Sequence, residues 1–594
     1  MKVSRKQVLL ALMGGAGLFT AAQATRKKDL RAGFDMDMPP WADTAPELAN
    51  YKRGERPNIL LIMSDQERAR QDLPGSLDLP NHDRLHATST EYADFHVTTA
   101  PCSPSRSVFY TGLHTKFTNV TGNPGTAGSA FLDKKTTTIG DILREEGYYT
   151  AYKGKWHLAP LYADTSKLRF SGMPEAFPIM ANAMEQYGFS DFTLTGDIWG
   201  GAWDGFRNDA AIAAEASRWL LDDAPRIAES RPWMLAVNFV NPHDIMFFSA
   251  SQKQERTRQF QNLLQPIRQE PYSEPYNTKL GIPLPESLAD DLSRKPWLHS
   301  AFRELNDLVF GKISPEDTDA WAVLQNYYFN CIRDLDTYLG VVLDALEASG
   351  EDRNTIIIYT SDHGELAGAH GLREKGPCLY RENVRVPFLV RHPDIQKGKK
   401  IAAMGSALDL APTLLNWAGV DEAKRREKYP DLKGCDLTPA LEGNKTERDD
   451  RGMLFYFGQT VWLDPALTEI ALSKGPQSNF GLMTTFLSAG RFPPKPDPHL
   501  KNQMRGIYDG RYKLGRYFSM KEHNMPATLD DLFRFNEVEL YDTHLDPNEM
   551  NNLANQPDLY RDVLSSLNTQ MNFLLETEIG VDDGSEFKEA RFVS

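Results

Sequence analysis

Three apolar runs that each end in polar, chemistry-bearing residues constrain this chain more than any other feature. Pro57-Asn58-Ile59-Leu60-Leu61-Ile62-Met63 leads into Ser64-Asp65-Gln66, and Trp233 to Val240 leads into Asn241-Pro242-His243-Asp244. Thr355 to Tyr359 leads into Thr360-Ser361-Asp362-His363-Gly364. Runs of this kind read as central strands buried on both faces. Open α/β sheets place their sites at the carboxyl ends of such strands. Between them the period changes to that of a helix: Thr138 to Glu146 precedes a strand at Tyr148 to Tyr152. Trp321 to Ala348 sets Ile332, Leu335, Leu339, Val342 and Leu346 on one face. The alternation predicts an α/β fold with a large mixed, mostly parallel sheet sandwiched by helices.

After about Thr446 the pattern shifts to short strands. Ile507 to Leu514 reads as a hairpin turned by Asp509-Gly510, and Glu539 to Asp542 as a further strand. This predicts a smaller C-terminal α+β subdomain with an antiparallel sheet. The stretch Met246 to Lys312, polar and broken by prolines, reads as an irregular insertion around the site mouth. The organisation expected is a signal peptide at 1–24, a polar lead-in at 25–55, a catalytic domain at 56–446 and the subdomain at 447–594.

The amino-terminal assignment rests on Lys2, Arg5 and Lys6, an apolar core from Val8 to Phe19, and Ala22-Gln23-Ala24 as a cleavage site. Ser4-Arg5-Lys6-Gln7-Val8-Leu9 loosely resembles a twin-arginine signal with Lys in the second position. No later segment is long and apolar enough to cross a bilayer. The expectation is a periplasmic or secreted protein without membrane association after cleavage. Its formal net charge of −15 argues against nucleic-acid binding. An anionic substrate then needs a local basic pocket, because the overall field repels it. The four cysteines make a poor disulfide framework. Cys331, Cys378 and Cys435 read as buried thiols, with one bridge among them left open.

The remaining motifs carry the chemistry. Cys102-Ser103-Pro104-Ser105-Arg106 is a C-x-P-x-R pentapeptide, and Pro104 suits the first turn of a helix. Gly154-Lys155-Trp156-His157-Leu158 follows, then Asn241-Pro242-His243, and Lys375 within Arg373-Glu374-Lys375-Gly376. Each has a bland reading in isolation: a buried thiol, a helix cap, a surface ion pair. In this order, together with Asp65-Gln66 and Asp362-His363, they resemble the formylglycine-dependent sulfatases of the alkaline-phosphatase-like superfamily. Asp546-Pro547-Asn548-Glu549 and Asn552-Leu553 are similar to that family's C-terminal subdomain, so the resemblance runs from Pro57 to Leu553.

The resemblance implies that a maturation enzyme converts Cys102 to formylglycine, whose hydrate is the nucleophile. Asp65, Gln66, Asp362, His363 and an oxygen at position 102 would hold a divalent cation, calcium first and manganese as the alternative. Arg106 would stabilise the hydrate, and Lys155 and Lys375 would bind the sulfate. His157 would take the proton of the non-attacking hydroxyl, while His243 would assist the leaving oxygen as an acid. His370, in Gly368-Ala369-His370-Gly371, reads as structural. Many members carry Asp-Asp and Asp-Asn where this chain has Asp-Gln and Asp-His, a pairing also found in phosphonate and phosphodiester hydrolases and choline-sulfatase-like enzymes. The expected activity is hydrolysis of a sulfate monoester on a carbohydrate, aryl or alkyl group. The rivals are a phosphonate monoester or phosphodiester hydrolase on the same fold, and a non-catalytic binder of sulfated glycans.

Overall fold

The computed structural model describes residues 51–583, apart from 124–129, 160, 162–182, 194–196, 259–265, 396–397, 459–462 and 465–496. The expected signal peptide and most of the lead-in lie outside the described residues.

The first apolar run forms β1 (Asn58–Asp65), every residue of it buried. Its side chains alternate between two cores, Ile59, Leu61 and Met63 on one face and Leu60 and Ile62 on the other. That alternation is the period-two geometry of a strand with helices on both faces. The other strands of this sheet are β2 (Thr90–His96), β3 (Tyr149–Gly154), β4 (Trp233–Pro242), β5 (Thr355–Ser361), β6 (Phe388–Arg391) and β7 (Lys399–Ser406). They lie in the order β3-β4-β1-β5-β6-β2-β7. All neighbours are parallel except β6, which runs antiparallel to both β5 and β2. The expected mixed, mostly parallel sheet is therefore what forms.

The helices needed for the site are α1 (Pro80–Thr88), α2 (Cys102–Thr111), α3 (Ile139–Glu145), α4 (Asp204–Arg218), α5 (Trp297–Phe310) and α6 (Thr318–Ser349). Val108 and Phe109 of α2, with Ile139, Ile142 and Leu143 of α3, cover one face of the sheet. Ile212 and Ala216 of α4, with Leu335, Leu339, Val342 and Leu346 of α6, cover the other. Helix α3 starts where expected because Thr138 and Asp141 form a reciprocal capping box.

One expectation needs correction. The described part of the Met246 to Lys312 stretch is not simply an irregular insertion, since it contains the helices Gln252–Thr257 and α5. Leu298, Phe302, Leu305 and Val309 of α5 recur at helical spacing and pack into the main core. The dense prolines and charges on either side mask this amphipathic face in the sequence.

A second sheet is antiparallel, in the order β11-β10-β9-β8, from β8 (Met453–Gly458), β9 (Gln503–Tyr508), β10 (Tyr512–Phe518) and β11 (Glu537–Asp542). The hairpin turns at Gly510, whose φ of 97° is costly for any residue with a Cβ. Leu564, Leu567, Met571 and Leu574 of α7 (Arg561–Leu574) pack against this sheet. All four cysteines are buried free thiols. Among the described residues no helix is long and apolar enough to cross a membrane.

Candidate active site

The carboxyl ends of β1, β4 and β5 are brought level by register: Ser64 pairs with Ser361, and Asp65 with Pro242. Asp65, His243 and Asp362 therefore emerge at one edge of the sheet. Beside them β3 ends at Gly154, where a Cβ would lie 1.9 Å from the Asn238 carbonyl oxygen. Only glycine permits this close approach, which delivers Lys155 to the same edge. Helix α2 begins at Cys102, so residue 102 sits at a helix N-terminus, where negative charge is favoured.

Ligand atoms of Asp65, Cys102, Asp362 and His363 lie within 4.8 Å of one another, and all four residues are buried. Nε2 of His363 is 3.1 Å from the Cys102 sulfur, and Oδ1 of Asp65 is 3.7 Å from it. The His363 ring is oriented by its Nδ1, 3.0 Å from the Gly364 carbonyl. This donor set, two carboxylates and an imidazole around position 102, fits a divalent cation of the calcium or manganese type.

Arg106, one turn into α2, spans both carboxylates: Nε donates to Asp362 Oδ2 at 2.7 Å and Nη2 to Asp65 Oδ2 at 3.1 Å. Its Nη1 donates to the Lys155 carbonyl at 2.9 Å. Nζ of Lys155 pairs with Asp65 Oδ2 at 2.6 Å. Burial would raise the Asp65 carboxyl, but Lys155, His243, Arg106 and His363 hold it well below the usual range. Asp362 goes the other way, raised by burial and by the charge of Asp65. For His363 burial opposes protonation, yet Asp362 and the Cys102 sulfur outweigh it and bring it up to about 9.

His157 and His243 stand apart from that acidic centre. Both are pushed well below the ordinary histidine value, by burial first and then by Lys155. Nδ1 of each is buried without a hydrogen-bond partner. A Cβ at Gly200 would lie 2.8 Å from both Lys155 Nζ and His243 Cε1, which puts those two groups side by side. His157 sits at a φ of 58°. The strained turn is held by Asp197, which accepts from the backbone N–H of Trp156 at 2.9 Å and of His157 at 2.8 Å.

Lys375 is buried, against the reading as a surface ion pair. Its Nζ donates to Gln66 Oε1 at 2.5 Å, with Glu374 Oε2 at 3.4 Å. Burial works against its charge, but the Cys102 sulfur and Glu374 raise it above the ordinary lysine value. The other nine residues singled out in the sequence thus gather around Cys102. Gln66 is the one whose side chain is otherwise engaged: its amide oxygen faces Lys375, and its Nε2 donates to Glu365.

Sequence reasoning missed Asp197 and Glu365. The Glu365 carboxylate only accepts, so it dictates which way the Gln66 amide points. It lies two positions after His363, a polar residue in the same strand-end motif, and that proximity was the available signal. Asp197 stands in a separate segment and gave none. His370, read as structural, has Nδ1 2.8 Å from Asp290 Oδ2 and its ring stacked on Tyr380 at 3.5 Å.

A family model described as Sulfatase matches residues 57–420. An ulvan-active sulfatase of Formosa agariphila is 26% identical over 410 residues, covering 67% of this chain and 68% of that protein. An N-acetylglucosamine-6-O-sulfatase of Bacteroides thetaiotaomicron is 28% identical over 458 residues, covering 69% and 75%. Among solved structures, a 2-O GAG sulfatase superposes with a TM-score of 0.60 at 19% identity, covering 90% of this chain and 94% of that one. A phosphonate monoester hydrolase of Agrobacterium radiobacter gives 0.58 at 24% identity, covering 87% and 96%. These superpositions give the alkaline-phosphatase-like fold.

Proposed function

The chain belongs to the sulfatase family, and from that premise we propose that it is an exported sulfatase cleaving a sulfate monoester at the sulfur atom. It is a hydrolase of sulfuric esters; the finer reading adds a sulfated carbohydrate, aryl or alkyl sulfate as substrate. The observation that carries it is the convergence of Asp65, Asp362 and His363 on Cys102 at a helix N-terminus, with Lys155 and Lys375 alongside. The reading includes maturation of Cys102 to formylglycine by a dedicated enzyme, catalysis by 56–446, and the sheet of β8 to β11 within a C-terminal subdomain from 447.

The hydrate of formylglycine supplies two hydroxyls, one to attack sulfur and one whose deprotonation releases sulfate. A divalent cation held by Asp65, Asp362, His363 and position 102, with Gln66 at its margin, supplies positive charge beside the reacting sulfate. The chain does the rest. Lys155 and Lys375 place two ammonium groups against the sulfate oxygens, preorganised by Asp65 and Gln66. Arg106 fixes both aspartates so that their oxygens face inward. Nδ1 of His157 and Nδ1 of His243 are the ring atoms free to exchange protons. His157 takes the proton of the hydroxyl that stays behind, and His243 gives one to the departing alcohol oxygen. The same depressed basicity keeps His157 unprotonated and open to an incoming proton, and makes His243 a ready donor once it carries one.

A second reading, a phosphonate monoester or phosphodiester hydrolase, is favoured by Gln66 and His363, which leave the site one carboxylate fewer than the commonest sulfatase pattern. Turnover of 4-nitrophenyl sulfate and of an aryl phosphonate monoester by matured protein separates them. Faster sulfate hydrolysis is expected; faster phosphonate hydrolysis overturns the choice. Intact-mass analysis tests conversion, and an unmodified thiol at 102 in protein from its native host would favour the non-catalytic binder.

A further inference from the structure

Two nitrogens of the Arg373 guanidinium, Nε and Nη1, are buried without a hydrogen-bond partner, in a side chain only 4% exposed. Buried donors in folded proteins are nearly always paired, and a charged one left bare is costly. Nδ1 of His157 and Nδ1 of His243, the groups assigned above to proton transfer, share this condition.

Arg373 adjoins Lys375 through two shared neighbours. The two oxygens of Glu374 are divided between Arg373 and Lys375: Oε1 is 3.8 Å from Arg373 Nη2 and Oε2 is 3.4 Å from Lys375 Nζ. Met246 lies between the same two cations, its carbonyl accepting from Arg373 Nη2 at 3.3 Å and its sulfur 3.6 Å from Lys375 Nζ. The two cations thus flank one carboxylate and one methionine. One face of the guanidinium rests on Phe310, with the ring centre 5.1 Å away.

The turn carrying both cations is strained and pinned. Glu374 has a φ of 70°. Its N–H donates to Glu365 Oε1 at 2.8 Å, its carbonyl accepts from Leu366 at 3.0 Å, and Asn306 Nδ2 donates to the Arg373 carbonyl at 3.1 Å. Strain of this kind persists where the surroundings over-determine the conformation, and it clusters at ligand clamps. Burial holds Arg373 below its ordinary value despite the pull of Glu374, Glu365 and Asp307. The neighbouring carboxylates therefore do not fully offset its desolvation.

We propose that Arg373 binds a second anionic group, a carboxylate or a sulfate, on the same substrate residue as the scissile ester. The preferred substrate is then a doubly anionic sulfate ester, an inference that rests on the functional reading above. Arginine suits the role because its planar, permanently charged fork matches such oxyanions.

The test uses matured full-length enzyme hydrolysing 4-nitrophenyl sulfate. Methanesulfonate is compared as an inhibitor with ethane-1,2-, propane-1,3- and butane-1,4-disulfonate. At least one disulfonate should inhibit about 10-fold more strongly than methanesulfonate, the scale of one buried charged hydrogen bond. Arg373→Ala should erase that advantage, and Arg373→Lys, which keeps the charge and the fold but loses the fork, should cut it by about 3-fold or more. No disulfonate advantage in the wild type, or one that survives intact in the variants, overturns the proposal. Calorimetric titration of the same anions reads binding without turnover. An Arg373-dependent disulfonate advantage in a protein inert to sulfate esters would therefore overturn the functional reading and not this one.

Discussion

Nε2 of His363 lies 3.1 Å from the sulfur of Cys102, although 261 positions separate the two residues in the chain. Around that contact the acidic and basic groups of the site interleave. Asp65 and Asp362 converge on the sulfur, Lys155 pairs with Asp65 at 2.6 Å, and Lys375 feels the charge of the sulfur.

Cys102→Ala should fold and lose activity. The thiol is fully buried but small, so the substitution leaves at most a minor void. Loss of a nucleophile costs far more than ~3 kcal/mol of barrier, so kcat should fall more than about 100-fold with Tm nearly unchanged. Residual turnover above a hundredth of wild type would argue against covalent catalysis.

Arg106→Ala should destabilise the metal-free protein severely. The guanidinium is fully buried between two carboxylates, and removing it leaves two like charges without their shared partner. Truncating one member of a buried pair costs about 3–5 kcal/mol. Thermal unfolding in chelator should show a clear fall in Tm, partly recovered by calcium; an unchanged Tm would contradict the assigned contacts.

Removal of a divalent ion should abolish turnover and lower Tm together. Four donors that converge only in the folded chain would hold an ion there alone, so a saturating ion should stabilise by mass action, about 2.7 kcal/mol at a hundred times Kd. Chelation followed by calcium or manganese readdition checks this by differential scanning calorimetry. No Tm response to either ion would remove the metal from the reading.

The pH dependence of stability should carry the signature of His82 in α1. This buried histidine lies between Asp336, 2.6 Å from Nδ1, and Glu67, 3.2 Å from Nε2. Burial opposes its charge, but Glu67 and Asp336 raise it to about 9 from an ordinary 6.5. A raised folded value means stability fully present below pH 6.5 and lost as pH climbs through about 9. The Tm gap between wild type and His82→Gln should therefore be widest near pH 6 and narrow toward pH 10, which a thermal-unfolding series measures. A gap that widens with pH would reverse the assignment.

Much of the fold was legible because it is encoded locally. The buried runs at Ile59 to Met63 and Thr355 to Tyr359, and the heptad-like face of α6, announce their structures through period alone. Helix α5 was not legible, since its apolar face is interrupted by a polar, proline-rich context and is recognisable only once Leu298 and Phe302 meet the core. Lys375 is placed at the site by resemblance alone, against a local context that reads as a surface ion pair. A lysine preceded by Arg373 and Glu374 looks like a surface residue until the strained turn at Glu374 draws it into the site.

The amino-acid order by itself determined which residues could supply chemistry: the strand ends bearing Asp65, His243 and Asp362, the helix start at Cys102, and the lysine after Gly154. Only the tertiary structure decided how those groups share charge. It set Arg106 across both aspartates, turned the Gln66 amide toward Lys375 through Glu365, and left the Arg373 donors bare. The reason is physical. Strand and helix periods are short-range properties of the chain, whereas the energy of a buried charge depends on neighbours that the sequence places hundreds of positions apart.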